Sequence, residues 1–133
     1  MIIFAYREHI LYAMFGGWII SVLLDFTFIE KVVYFTCIPI GALLPDIDRV
    51  DTKLGHLIKP LSGWLNKTVG HRTLTHSLFF ITVLYYSAII AFGINIVFTG
   101  LMIGCVMHVL FDMMTPAGVS LLYPLSSKRF KIN

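Results

Sequence analysis

Apolar residues fill two long tracts of the chain, and each tract is too long to form a single membrane-spanning helix. The first tract, residues 10–44, is interrupted only by Asp25, Glu30 and Lys31. One helix of that length would extend about 50 Å, whereas the hydrocarbon core of a bilayer is about 30 Å thick. The tract therefore has to fold back on itself, and residues 25–31 are the predicted turn.

The second tract, residues 77–114, carries no charged residue before Asp112 and is also longer than one span. Its predicted turn is Gly93-Ile94-Asn95, because Gly and Asn are frequent in turns. The second predicted helix is short and contains Pro39, so we expect a kink or an incomplete span there. Together the tracts predict four helices, at about 10–27, 31–44, 75–92 and 96–114.

The polar loop between the two tracts contains an amphipathic segment. Its apolar residues recur at spacings of three and four: Leu54, Leu57, Ile58, Leu61, Trp64 and Leu65. Such a pattern is typical of a helix on the membrane surface, with Lys53, Lys59 and Lys67 near the headgroups. Pro60 is expected to divide the segment in two. A helix that packs over the bundle fits the pattern equally well.

Composition excludes a soluble protein. Of the 133 residues, 58% are hydrophobic and only 13% are charged, whereas soluble domains hold about 25% charged residues. The same figures exclude a disordered chain and a disulfide scaffold. Cys37 and Cys105 lie within the apolar tracts, where buried free thiols are expected.

The predicted fold is an all-α membrane protein with four transmembrane helices arranged as two hairpins. A short interfacial amphipathic segment separates the hairpins. The N-terminal stretch is expected to be a retained transmembrane segment, because no small-residue cleavage site follows it. The chain is expected to form one domain, residues 1–133, divided into a hairpin at 10–44, a cytoplasmic loop at 45–75, a hairpin at 76–114 and a tail at 115–133.

Basic residues concentrate on one side of the predicted helices. The chain has ten Lys and Arg against seven Asp and Glu. With four spans, both termini and the central loop share one face, which carries nine of the ten basic residues, and the other face carries only Lys31. By the positive-inside rule that face is cytoplasmic. This clustering is typical of cytoplasmic loops, so no nucleic-acid partner is expected.

Residues able to bind a metal converge on the predicted cytoplasmic face. Ionisable groups in a membrane helix cost at least about 2.5 kcal/mol unless they are paired or hydrated, so their presence favours a function. Imidazoles with carboxylates suit Zn²⁺ foremost, with Mn²⁺ or Fe²⁺ as alternatives, and the number of candidates allows one or two ions. The candidates are His9, Asp46, Asp48, His71, His76, His108 and Asp112.

The spacing within two pairs of candidate ligands has a physical interpretation. His108 and Asp112 are four residues apart, so both project from one face of the fourth helix. Asp46 and Asp48 follow the second helix, where an extended segment would point both carboxylates in the same direction. His9 is expected just before the first helix.

The two histidines before the third helix are five residues apart, which is a poor spacing for one helical face. We therefore expect Thr73 or Thr75 to be the N-cap, with His71 in the loop and His76 in the first turn. The positive end of the helix dipole would then favour a neutral, metal-binding His76 ring.

Three strings carry these residues: GALLPDID at 41–48, HRTLTHS at 71–77 and HVLFDMMTPAGV at 108–119. In this order they resemble the YdjM-like family of bacterial membrane-bound metal-dependent hydrolases, over the chain from His9 to about Ser126. The resemblance implies a bacterial inner-membrane protein, a divalent metal, hydrolytic activity and kinship to zinc-dependent phospholipase C. Carried over by motif, it implies the same seven residues as functional positions, although Glu8 stands where the family has Thr.

The expected function is therefore a metal-dependent hydrolase at the cytoplasmic membrane interface. Its core ligands would be Asp46, His76, His108 and Asp112, and the other three candidates would complete a second metal site or support the first. A metal-bound water, its pKa lowered towards about 7, would attack the substrate.

Asp48 is the expected general base if it is not a ligand, and Arg72 is expected to hold an anionic oxygen of the substrate. Placement at headgroup level predicts a membrane lipid or another phosphoester as substrate, by analogy with phospholipases. A divalent-metal transporter and a non-catalytic membrane scaffold remain alternatives. A homo-oligomer also remains open.

Overall fold

The computed structural model describes residues 2–132, and it describes the side chains of residues 6–52 and 54–132. The predicted headgroup contact of Lys53 lies outside the described side chains. The described residues form no β-strand, and an isolated antiparallel bridge joins Val119 to Phe130. The predicted all-α class is thus confirmed. The helices are α1 (Ile2–Leu23), α2 (Phe28–Gly41), α3 (Lys53–Leu57), α4 (Lys59–Thr68), α5 (Leu78–Phe92) and α6 (Ile96–Met113).

Among the residues that the structure describes, two helical segments are long and apolar enough to cross a membrane. They are Phe28–Asp48, which joins α2 to the 3₁₀ turn that follows it, and Ile96–Met113, which is α6. α5 is also apolar but has only 15 residues. These lengths and compositions are consistent with the predicted membrane protein.

The first two helices begin earlier than predicted. α1 starts at Ile2, so His9 lies within the helix rather than before it. The prediction equated the helix with the apolar tract, but Arg7 and Glu8 are good helix formers and continue it. α2 starts at Phe28 because Thr27 and Glu30 form a capping box, in which the Glu30 carboxylate accepts a hydrogen bond from the Thr27 backbone N–H.

The aspartates after α2 lie in a 3₁₀ turn, Pro45–Asp48, rather than in the predicted extended segment. Pro45 favours this turn because its fixed φ suits a first helical position. With about three residues per turn, side chains two positions apart diverge. Asp46 and Asp48 therefore point to different neighbours.

The N-cap of α5 is Ser77, whose side chain accepts a hydrogen bond from the Phe80 backbone N–H at 3.1 Å. The predicted N-cap at Thr73 or Thr75 is therefore wrong. His76 lies in the preceding 3₁₀ turn, Leu74–His76. The Thr75 hydroxyl is engaged by Asp48 instead, so it does not cap the helix.

The amphipathic segment divides next to Pro60, as predicted, with the break between α3 and α4 at Ile58. Ser62 and Leu65 are buried against the rest of the chain, and α4 contacts the Pro45–Asp48 turn. An apolar stripe on the other side is exposed. Its members are Leu57, Leu61 and Trp64, at 79%, 46% and 60% exposure.

α6 is the central helix, because it contacts α1, α2 and α5. Gly100 and Gly104 form a GxxxG pattern on the α6 face that meets α2, and a Cβ at Gly104 would overlap the backbone of Ile38 and Ala42. This close approach carries the end of α2 against the last turns of α6. His108 is thereby held beside the Ala42 carbonyl.

Candidate metal centre

The structure brings all seven candidate residues together at one end of the helices. His9 comes from α1, and His108 and Asp112 come from α6. The other four come from the 3₁₀ turn after α2 and from the segment before α5. Three groups have ligand atoms close enough to share an ion: His9–His108–Asp112, Asp46–His76–His108 and Asp48–His71–His76. These buried His and Asp groups can bind a metal.

Ligand atoms of four residues lie close to one another in the centre of the cluster. His76 Nε2 lies 3.2 Å from His108 Nε2 and 3.2 Å from Asp112 Oδ2. His108 Nε2 lies 3.6 Å from Asp112 Oδ2. Asp46 Oδ1 is 3.9 Å from His76 Nε2 and 3.8 Å from His108 Nε2. Asp46 is thus the more distant member, and its side chain is 14% exposed while those of the other three are at most 1% exposed.

The hydrogen bond from His108 fixes which of its nitrogens faces this point. Its Nδ1 lies 2.6 Å from the Ala42 carbonyl oxygen. A carbonyl oxygen only accepts, so Nδ1 carries the proton and donates. In the neutral ring, Nε2 therefore presents a lone pair to the centre.

His76 is fixed in the same way through a hydroxyl. Its Nδ1 lies 3.0 Å from Thr75 Oγ1, and the Thr75 hydroxyl donates to Asp48 Oδ2 at 2.8 Å. Since the hydroxyl proton is directed to Asp48, the oxygen accepts from His76 Nδ1–H. The Nε2 of His76 thus also presents a lone pair to the centre.

The central quartet, defined as Asp46, His76, His108 and Asp112, therefore brings two imidazole Nε2 atoms and two carboxylate oxygens together. With each ring neutral and protonated on Nδ1, all four groups are acceptors. Such a set of acceptors is unfavourable unless a cation lies between them. Tetrahedral zinc ligands at 2.0–2.2 Å are separated by about 3.4 Å, which falls within the observed range of 3.2–3.9 Å. The donor set fits a divalent metal.

Burial keeps the imidazole of His76 in its metal-binding form. His76 is fully buried, and this desolvation lowers the pKa of its imidazole although the Asp112 carboxylate opposes the effect. The ring is therefore neutral at physiological pH, as metal binding requires.

The second oxygen of Asp112 is held by two residues outside the quartet. Asp112 Oδ1 accepts a hydrogen bond from the Arg72 guanidinium at 2.6 Å and lies 3.1 Å from His9 Nε2. Arg72 also donates to Thr115 Oγ1 at 2.8 Å. These contacts orient Asp112 with its other oxygen, Oδ2, towards the two histidines. Arg72 adopts a φ of 60°, a left-handed conformation that non-glycine residues rarely adopt.

Asp48 is completely buried and lies on the Nδ1 side of His76, with its Oδ2 3.9 Å from that nitrogen. Its Oδ1 lies 2.9 Å from His71 Nδ1, and its Oδ2 accepts from Thr75 and from the Arg72 backbone N–H at 3.3 Å. These contacts make Asp48 a positioning residue for His76 through Thr75. The general-base role expected of Asp48 and the substrate-binding role expected of Arg72 stay predictions.

Two further ionisable residues of the central loop, Asp51 and His56, lie outside the cluster. His56 is exposed, and Asp51 pairs with Arg49 at 2.5 Å. The hydrogen bonds from the Arg49 guanidinium hold the pKa of the Asp51 carboxyl below its usual range. Neither residue contributes to the metal-binding groups.

Three contributors to the cluster were not predicted from the sequence. They are the Thr75 hydroxyl, the Thr115 hydroxyl and the Ala42 carbonyl oxygen. Thr75 and Thr115 lie within the strings that carry the ligands. This position in the sequence was the one indication that they contribute to the cluster. The Ala42 carbonyl gave no signal, because any residue supplies one.

Comparisons with known proteins identify the family of the chain. The family model described as "YdjM inner membrane protein" matches residues 5–133. The uncharacterized protein YvsG of Bacillus subtilis (strain 168) is 36% identical over 85 residues, which cover 64% of this chain and 53% of that protein. The inner membrane protein YdjM of Escherichia coli (strain K12) is 35% identical over 91 residues, covering 62% of this chain and 44% of that protein.

The chain thus spans about half the length of the curated relatives that it matches. No solved structure matches it. The predicted family resemblance is confirmed by a model match that covers nearly the whole chain, and membrane localisation follows from the family together with the two apolar segments. The chain therefore belongs to the YdjM inner membrane protein family.

Proposed function

We propose that this protein is a metal-dependent hydrolase of the inner membrane, with its site at the cytoplasmic membrane interface and a phosphoester, above all a phospholipid, as substrate. The single observation that carries the proposal is the pair of imidazole Nε2 atoms of His76 and His108, which lie 3.2 Å apart with carboxylate oxygens of Asp46 and Asp112 around them. The Nδ1 atoms of both rings are hydrogen-bonded elsewhere. A divalent cation, zinc foremost, satisfies the two imidazoles and the Asp112 carboxylate, with the Asp46 carboxylate beside it.

In this proposal His76, His108 and Asp112 hold the metal and Asp46 borders its accessible side. A metal bound there would polarise a phosphoryl oxygen and activate a water molecule. The three holding residues are at most 1% exposed, whereas Asp46 is 14% exposed, so substrate and water approach past Asp46. His9 and Arg72 keep Asp112 in its orientation, and Asp48 does the same for His76 through Thr75.

The membrane arrangement belongs to the same proposal. We infer that α1, α2, α5 and α6 all cross the bilayer as two hairpins, which puts both termini and the α3–α4 segment on the face that carries nine of ten basic residues. The exposed apolar stripe of α3 and α4 supports this, because it suits the headgroup boundary. The metal centre then lies at the depth of phospholipid headgroups.

A structural metal in a non-catalytic scaffold is the second candidate. Four protein ligands close a tetrahedral zinc site, as in structural sites, whereas catalytic sites keep one position open. The longer distances from Asp46, 3.8 and 3.9 Å, favour the catalytic alternative because they leave room on that side.

The test is to count metal in the detergent-purified protein and to assay hydrolysis of a water-soluble phosphodiester and of phospholipids. The variants are His76→Ala and Asp112→Asn. The matched control is His56→Ala, since His56 is exposed and outside the cluster. We expect wild type and control to bind metal and hydrolyse substrate, and both site variants to lose metal and activity.

Normal metal content in both site variants would overturn the assignment of the site. Full metal content with no hydrolysis over a broad phosphoester panel would reject the hydrolase and favour the scaffold. Transport of the metal into vesicles without hydrolysis would reject it in favour of a transporter.

A further inference from the structure

An apolar cavity of about 120 Å³ lies between α5 and α6, beside the central quartet. Its near end is lined by Leu44, Ile81 and Cys105, and its far end by Ala88 and Phe98. Aliphatic and aromatic groups form almost the whole lining. An engineered apolar cavity of about 150 Å³ stays dry and takes up small apolar ligands, so a cavity of this size and lining is suited to hydrocarbon.

The near end of the cavity is lined by residues that lie close in the chain to two ligands of the metal centre. Leu44 lies two residues before Asp46, and Cys105 lies one helical turn before His108. From Cys105 to Phe98 the cavity follows α6 for about 10 Å at 1.5 Å per residue. It therefore leads from the polar cluster away along the helices.

α5 packs loosely along this cavity. Of its 15 residues, Ile81 near the N-terminus is the one that is buried, and the others are at least partly exposed. A helix held at one end leaves a lateral opening between itself and its neighbour. In a membrane protein, the surroundings of such an opening are the acyl chains of lipids.

We propose that the cavity between α5 and α6 binds an acyl chain of a membrane phospholipid whose phosphate group lies at the central quartet. The placement of the phosphate rests on the proposed function, whereas the binding of the acyl chain rests on the cavity alone. A metal held by the quartet would take a phosphate oxygen at its open position beside Asp46, and the apolar cavity takes the adjoining chain. The two together select a lipid over a water-soluble phosphoester.

The test uses the detergent-purified protein with a phosphatidylglycerol that carries a diazirine on one acyl chain. Ala88→Phe fills the far end of the cavity. Ala91→Phe is the matched control, since it places the same ring at an exposed position of the same helix. After irradiation, mass spectrometry maps the labelled peptides, and metal content is measured on each protein to verify the site.

We expect labelling of residues 81–88 and 98–105 in wild type and in Ala91→Phe, and a loss of at least about five-fold in Ala88→Phe, with metal content equal in all three. Equal labelling of the three proteins, or label spread evenly over the exposed faces of α1 and α2, would overturn the proposal. If Ala88→Phe loses metal, Ala88→Leu replaces it in the test. The leucine fills less of the cavity, so we expect it to keep the metal and to reduce labelling to a smaller extent.

Hydrolysis separates this inference from the proposed function. For an active protein, we expect Ala88→Phe to raise KM for a long-chain phospholipid several-fold and to leave KM for a water-soluble phosphodiester unchanged. An equal rise in KM for both substrates would contradict the binding of an acyl chain in the cavity but would still support the hydrolase. Specific labelling of the cavity without any hydrolysis would leave the cavity standing and reject the hydrolase.

Discussion

Each imidazole of the central quartet is oriented by a group that is not itself a metal ligand. His108 is fixed by a backbone carbonyl at 2.6 Å, and His76 by a hydroxyl at 3.0 Å. These contacts place the protons on Nδ1 and leave the Nε2 atoms for a metal. The chemistry of the cluster therefore depends on Ala42 and Thr75 as much as on the histidines themselves.

Replacing Thr75 tests this dependence. Thr75→Val removes the hydroxyl that links Asp48 to His76 Nδ1, and both groups lose a buried hydrogen bond. We expect metal affinity to fall about 10- to 100-fold, as is typical when a group that orients a ligand is removed. The measurement is a metal titration of the purified protein against a competing chelator.

Thr75→Ser is the matched control, because it keeps the hydroxyl and removes only a methyl group. Its metal affinity is expected to stay close to that of wild type. An equal loss in Thr75→Ser and Thr75→Val would attribute the effect to packing and contradict the hydrogen-bond argument.

Acid is expected to destabilise the metal-free protein through His76. Burial lowers the pKa of His76 in the folded chain below its ordinary value of about 6.5. The unfolded state therefore binds a proton first as pH falls, so folding stability is retained above pH 6.5 and is lost below it. Thermal unfolding of the chelator-treated protein between about pH 8 and pH 5 measures this loss.

His76→Gln removes the titrating group, and its melting temperature is expected to depend less on pH across this window. His56→Ala removes an exposed histidine and is expected to keep the dependence of wild type. The same slope in His76→Gln and wild type would show that another group carries the effect.

At the scale of elements, the close approach of α2 and α6 brings the ligands into register. Gly100 and Gly104 let the two backbones come together, and Cys105 donates a hydrogen bond from its thiol to the Gly41 carbonyl at 3.2 Å. Small residues at such contacts are the usual device of helix pairs in membranes. The last two turns of α6 thereby face the 3₁₀ turn that carries Asp46.

Two glycine substitutions of opposite expected sign test this contact. Gly104→Ala places a methyl group into the backbone of α2, and such overpacking costs about 1–3 kcal/mol. Gly63→Ala in α4 meets no atom within 4 Å and gains up to about 1 kcal/mol of helix propensity. Thermal unfolding in detergent should show a lower midpoint for Gly104→Ala and an equal or higher one for Gly63→Ala. A stabilised Gly104→Ala would refute the close approach.

The amphipathic segment was interpreted either as a helix on the membrane surface or as a helix packed over the bundle. The exposed stripe of α3 and α4 allows an experiment that distinguishes the two. α4 packs on the rest of the chain with Ser62 and Leu65, and it leaves Trp64 60% exposed. In a protein with Trp18→Phe, Trp64 is the remaining tryptophan. We expect its fluorescence in bilayers to be quenched by lipids brominated near the headgroup more strongly than by lipids brominated near the chain end. Quenching by a water-soluble quencher alone would place the stripe in solution.

At the scale of the whole molecule, charge asymmetry predicts orientation. Nine basic residues lie on one side, eight of them in the central loop and the C-terminal tail and Arg7 near the start of α1, whereas Lys31, in the first turn of α2, lies on the other side. We expect reporters fused at the C-terminus, and inserted at the exposed Pro60 region, to be active in the cytoplasm. A reporter inserted at Gly93 should be active outside it, and cytoplasmic activity there would contradict the hairpin arrangement.

The sequence by itself determined the membrane character, the helical class and the identity of the seven clustered residues. It could do so because apolar tracts, helical spacing and the three family strings are local properties of the chain. Helix ends were less predictable from the sequence. Several polar residues near the start of α2 and of α5 could act as the N-cap, and the contacts in the folded chain determine that Thr27 and Ser77 do so.

Only the tertiary structure decided how the seven residues divide into a central quartet and the groups that orient it. That division depends on contacts between distant residues, such as His108 with Ala42, which are 66 positions apart. The 3₁₀ turn sends Asp46 towards the two histidines and Asp48 towards Thr75, although the sequence presents them as equivalent. Orientation of a side chain is fixed by its packing and hydrogen bonds, and these exist only in the folded chain.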